Sequence, residues 1–174
     1  MTTTKWTVDP AHSEILFKVK HLMITNVTGT FTDFSSEAET VDNSFNPATI
    51  RFEAKVASIN TNNEQRDAHL RSADFFDSDN YPTINFVAEA YNSNENTITG
   101  DLTIRGNTQK VRLDVEFGVI QPDPWGNTKA GFSLSGKINR KDFGLTWNAP
   151  LEAGGMLVSD EVRLQCEIQL VKNS

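Results

Sequence analysis

An all-β fold, a single closed antiparallel β-barrel of about eight strands with a short helix near one end, is what this sequence predicts. Three observations carry that expectation. Apolar residues recur at every second position over most of the chain, the periodicity of half-buried strands. Turn-forming residues interrupt these runs at short intervals, so neighbouring strands are joined as hairpins. One interval, 63–71, instead lacks β-branched residues and is rich in helix formers.

The runs follow one another along the chain. Ile15, Phe17, Val19 and His21 share one face. From Val27 to Val41 the pattern is less regular, because Phe31 and Phe34 have opposite parity, and a strand with a bulge or bend is expected. A turn at Asn43–Pro47 then leads to Ile50, Phe52, Ala54 and Val56, alternating with Arg51, Glu53 and Lys55. The helix over 63–71 crosses an end of the sheet. Ile84, Phe86, Ala88 and Ala90 form the next inner face, with Tyr91 on the opposite one. After the turn at Asn92–Asn96 come Ile98, Gly100, Leu102 and Ile104, and after Gly106-Asn107 come Val111, Leu113, Val115, Phe117 and Val119. The turn Pro122–Asn127 precedes Phe132, Leu134, Gly136 and Ile138. Val162, Leu164, Cys166, Ile168 and Leu170 complete the set. Strands with one apolar face each must hide those faces from water, which a barrel does.

Composition excludes several functions. The 174 residues carry a net charge of −7 without a Lys/Arg cluster, so nucleic acid is not an expected partner. No stretch approaches the roughly 18 apolar residues of a membrane span, and stable membrane insertion is not expected. The N-terminal residues lack the apolar run of a secretory signal, which points to the cytoplasm, or to the periplasm had a signal been removed. Cys166 is the sole cysteine, so neither an intramolecular disulfide nor a thiolate metal cage can form. No linker or repeat divides the chain, and residues 1–174 are expected to form one domain. A homodimer is a candidate assembly.

The chemistry-bearing residues point away from catalysis. His12, His21 and His69 match no compact metal-ligand spacing, so no metal and no cofactor are expected. Asp9, His12 and Ser13 resemble the ingredients of a triad, but adjacent strand residues face opposite ways, and an N-terminal turn is the better reading. An enzyme working through His12, His21 or Asp67 is the alternative to a binding protein. The inner faces supply the expected apolar lumen: Phe17, Val19, His21, Phe52, Phe86 and Ala88 from the first half. Gly100, Leu102, Phe117, Phe132, Leu134 and Phe143 follow from the second. The small residues among them either accommodate the bulk of a facing Phe or leave the lumen open; a stress-related structural barrel with a filled core is the corresponding alternative. Arg66, Asp67, His69 and Arg71 lie within two helical turns, as a solvated helix face or as a polar rim meeting a ligand head group. Phe75, Phe76 and Trp147 are core or portal residues.

A longer string of motifs resembles a known family. Trp6-Thr7-Val8-Asp9-Pro10-Ala11-His12-Ser13 opens it, and Val27-Thr28-Gly29-Thr30-Phe31 follows. Ser58-Ile59-Asn60-Thr61, the run from Arg66 to Phe76 and Tyr81-Pro82 occupy the middle. The stretches Gly100–Thr108 and Asn139–Gly144 come after them. In this order they are similar to the YceI-like family, nearly end to end. The resemblance implies a lipocalin-like barrel that binds a polyisoprenoid, an isoprenoid quinone or a fatty-acyl-type lipid in an apolar tunnel, with the head group near one end. It implies a carrier rather than an enzyme. Many members carry a secretion signal and work in the bacterial periplasm, from which this sequence departs.

Overall fold

Twelve strands and one α-helix make up the computed structural model, which describes residues 3–22, 24–41, 44–92, 94–118, 120–149 and 157–173. The strands are β1 (Thr3–Val8), β2 (Glu14–His21), β3 (Thr25–Phe31), β4 (Phe34–Val41), β5 (Ser44–Lys55) and β6 (Ile59–Asn60). After α1 (Glu64–Arg71) come β7 (Thr83–Asn92), β8 (Thr97–Ile104), β9 (Asn107–Phe117), β10 (Gln121–Pro122), β11 (Thr128–Asn139) and β12 (Val158–Lys172). Eight of them close a ring in the order β11-β9-β8-β7-β5-β4-β1-β12, with β12 pairing back onto β11; every pairing is antiparallel. The expected closed antiparallel barrel with one short helix is the fold.

The remaining strands lengthen the wall. β12 pairs with β1 near its C-terminal end and with β2 along its earlier residues, so β1 and β2 lie end to end. β4 and β3 continue the arrangement beside them. Between β1 and β2 the chain makes a 3-10 turn at Pro10–His12, capped by the Asp9 carboxylate accepting from the Ala11 N–H at 3.1 Å. Between β3 and β4 it bends at Thr32-Asp33, so that Phe31 and Phe34 both pack on the core despite their opposite parity.

Three local readings differ from expectation. β1 carries no apolar alternation because one of its inward positions is Thr4, buried beside the wholly buried Trp6. The turn signal at Asn43–Pro47 falls largely inside β5, where the register slips between the Thr40–Ala48 and Val41–Ser44 pairs; residue 43 lies outside the described residues. In β7 a second slip, between the Ala88–Gly100 and Ala90–Thr99 pairs, reverses the alternation. Tyr91 therefore points inward opposite Ile98 instead of outward. The Ala90 side chain and residue 119 lie outside the described residues.

The interior has two parts. At one end Trp6, Ala38, Phe45, Ala48, Ala130 and Leu170 pack into a plug. The Trp6 indole N–H donates to Thr40 Oγ1 at 3.0 Å, which makes its full burial affordable. Phe45 meets Trp6, Phe132 and Phe117 at ring-centroid distances of 5.1, 5.0 and 5.6 Å. The larger cluster lines the rest of the barrel up to α1 and the 3-10 turn Arg140–Phe143 at the opposite end.

Candidate ligand-binding site

Above the plug the barrel encloses a cavity of about 330 Å³, within the range of ligand pockets, about 300–1,000 Å³. Its walls come from alternate residues of successive strands. β2 supplies Ile15, Phe17, Val19 and His21; β5 supplies Ile50, Phe52 and Ala54; β8 supplies Ile98, Leu102 and Ile104. β9 adds Val111, Leu113 and Val115, β11 adds Phe132, Leu134 and Ile138, and β12 adds Val162, Leu164, Cys166 and Ile168. Burial pushes the Cys166 thiol up to about 11, so it faces the cavity as a neutral group at neutral pH.

Of the expected lumen residues, Phe17, Val19, His21, Phe52, Phe86, Leu102, Phe132 and Leu134 line the cavity. Four do not. Phe117 packs on Phe132 at the plug end, 4.8 Å between centroids, and is 37 % exposed to solvent there. Phe143 is fully buried in the 3-10 turn Arg140–Phe143, where its carbonyl accepts from Asn107 Nδ2 at 2.9 Å. Ala88 and Gly100 are paired across β7 and β8, and the space at Gly100 is already taken. A Cβ there would lie 2.5 Å from the Val87 carbonyl oxygen and 2.8 Å from Phe86 Cζ. The small residues at this point accommodate the neighbouring wall and the Phe86 ring, while the open volume lies elsewhere.

The charged lining gathers at the end opposite the plug. Asn63 caps α1, its Oδ1 accepting from the Arg66 N–H at 2.9 Å. The i, i+3 and i+4 spacing then turns Arg66, His69 and Leu70 to the cavity. Asp67 points the other way, its buried carboxylate accepting from the Thr61 N–H at 2.9 Å and Thr61 Oγ1 at 2.5 Å. Arg66 donates from Nε to Thr61 Oγ1 at 2.8 Å and from Nη2 to the Thr61 carbonyl at 2.6 Å. His69 Nε2 lies 2.9 Å from Asp74 Oδ2, and its ring meets Trp147 and Phe75 edge-on at 4.7 and 5.1 Å. Arg71 does not line the cavity. The expected rim therefore divides into Arg66 and His69 on the cavity and Asp67 and Arg71 off it.

Arg140 is the charged cavity residue that sequence reasoning missed, and Ser36, Tyr91 and Leu145 are uncharged ones. Arg140 is 2 % exposed, and its guanidinium donates to the carbonyls of Leu145, Trp147, Val158 and Ser159 at 2.5, 2.9, 3.4 and 2.9 Å. The signal was its place in the Asn139–Gly144 motif, but acceptors 5 to 19 residues downstream cannot be read from spacing. Trp147, left open as core or portal, lines the cavity, as do Phe75 and Phe76. His12 lies off it, on the outer side of the β1–β2 turn. Its Nδ1 and Lys129 Nζ are each 2.8 Å from Asp9 Oδ2, and these partners hold the Asp9 carboxyl down at about 2. Among the described residues no cluster of three His, Cys, Asp or Glu could hold a metal ion, and no helix is long and apolar enough to cross a membrane.

A closed eight-stranded antiparallel barrel with an apolar internal cavity and a polar cap at one end defines a lipocalin-like barrel as the class. Residues 6–170 match the model of the YceI-like domain, and the chain belongs to the YceI-like family. It is 39% identical over 170 residues to a UPF0312 protein of Staphylococcus epidermidis, covering 95% of this chain and 96% of that one. The crystal structure of the Campylobacter jejuni YCEI protein superposes with a TM-score of 0.76 at 36% identity, over 90% of this chain and 91% of that one. A domain of Saccharophagus degradans described as polyisoprenoid binding shares the fold, with a TM-score of 0.69 at 12% identity, over 97% of this chain and 98% of that one.

Proposed function

We propose that the chain is a binding protein, not an enzyme, and carries a single-chain apolar molecule of isoprenoid or fatty-acyl type in the barrel. The apolar cavity of about 330 Å³, closed at one end by the Trp6–Phe45 plug, supports this most directly. The description of the Saccharophagus degradans neighbour as polyisoprenoid binding points the same way. Energetics suit it: each buried CH₂ contributes about 0.8 kcal/mol, so ten contribute about 8 kcal/mol before association costs. Association costs about 4 kcal/mol or more of this, so micromolar binding, about 8 kcal/mol net, calls for a chain of about fifteen buried CH₂ groups or longer. The walls ask only for an apolar chain, so they select by width and length more than by pattern.

The test is titration of the delipidated protein with a fluorescent polyene fatty acid, followed by displacement with farnesol. We expect one probe per chain and full displacement. Leu134, mid-wall on β11, faces Val115 and Cys166 across its two neighbours. Leu134→Trp should abolish probe binding while the protein still unfolds cooperatively. Unchanged binding by this variant contradicts the reading.

A further inference from the structure

The charged side chains that line the polar end of the cavity are cationic. Arg66 and Arg140 both line it, and among the described residues no Asp or Glu does. The donors of Arg140 go to neutral carbonyls, which satisfy its hydrogen bonds without cancelling its charge. Its one ion pair among the described residues, with the half-exposed Asp160 at 3.9 Å, offsets that charge only in part. Arg66 is held by Thr61 on Nε and Nη2, and Thr61 is itself fixed by Asp67. Among the described residues its Nη1 has no partner and no carboxylate lies within ion-pair distance of the guanidinium, Asp67 being linked to it only through Thr61. A guanidinium anchored on two nitrogens with the third free is preorganised to donate to a further acceptor.

We propose that the cavity selects single-chain amphiphiles with an anionic head, a carboxylate or a phosphate, placed against Arg66 with the chain running toward the Trp6–Phe45 plug. This rests on the reading of the cavity as a lipid site. The head accepts from Arg66 Nη1, and the buried Arg140 charge raises the potential around it. The net charge of −7 opposes an anion only at long range, since physiological salt screens exposed charges beyond about 8 Å. His69 is a lesser contributor, because Asp74 engages its imidazole.

Calorimetric titration of the delipidated protein with dodecanol, dodecanoate and dodecyl phosphate at neutral pH, with inorganic phosphate as a fourth titrant, tests this. We expect one or both anions to bind at least tenfold more tightly than the alcohol, which tells carboxylate from phosphate, and inorganic phosphate to give no heat. Arg66→Gln should bring the anions to within twofold of the alcohol; Arg66→Lys should retain part of the preference. Equal affinities for alcohol and anions in the unaltered protein, a result that needs no variant to fold, overturn the inference alone. So does an equal loss for alcohol and anions on Arg66→Gln. Failure of all three chains to bind overturns the cavity reading and this inference together.

Discussion

Asp9 holds together parts of the chain that are far apart in sequence. Its carboxylate receives His12 from the β1–β2 turn and Lys129 from β11, each at 2.8 Å. Lys129 Nζ also lies 3.8 Å from Asp123 Oδ2 in the β10–β11 hairpin. The hydrogen bond from Lys129, then that from His12, lowers the Asp9 value from 3.8 to about 2. A carboxylate lowered on folding adds stability above its unfolded value, and that stability is lost as pH falls through the folded value. Asp9→Asn should therefore lower the urea midpoint at neutral pH, and its deficit against the unaltered protein should shrink between pH 4 and pH 2. A deficit constant across that range would show that the charge contributes nothing. Asp9 and His12 are legible in the sequence as a local turn, but Lys129, 120 residues away, is not. Arg140 is hidden for the same reason, because what it does depends on the carbonyls that surround it.

Strands declare themselves when both faces of the wall obey the alternation. β9 does so, with Val111, Leu113 and Val115 buried between exposed Arg112, Asp114 and Glu116. β7 obeys it up to Ala88 and then breaks it, and no residue type at the slip announces the change that brings Tyr91 inward. Alternation also says nothing about depth along the barrel, which is why Phe117 reads as lumen and instead lies partly in solvent against Phe45 and Phe132 at the plug end. Glycines carry two meanings that the sequence does not separate. At Gly100 an added Cβ meets the Val87 carbonyl oxygen at 2.5 Å, whereas at Gly131 it meets nothing within 4 Å. Gly100→Ala should cost about 1–3 kcal/mol, as overpacking does. Gly131→Ala should be neutral or stabilising by up to about 1 kcal/mol. Paired chemical denaturation curves check the contrast, and similar costs at the two positions would refute the packing described for β7 and β8.

Closure of the barrel is the property that ties these elements to function. A ring of eight strands has no edge within the ring, and its inner faces have no other layer to pack on. They must be filled by their own side chains or by a guest. The sequence is compatible with both outcomes, because filling depends on how Phe17, Phe52, Phe86 and Phe132 turn inside the wall. In the structure the aromatic side chains of Trp6, Phe45, Phe117 and Phe132 concentrate at one end, and about 330 Å³ remains open above them. That division into plug and cavity is what the proposed binding role depends on. Native mass spectrometry of the protein purified from cells without detergent, before and after organic extraction, tests it most directly. A guest predicts a population heavier by the mass of one chain molecule, lost on extraction and restored by adding a fatty acid or prenol back. A single species at the polypeptide mass that takes up no chain molecule under any of these conditions would contradict the account.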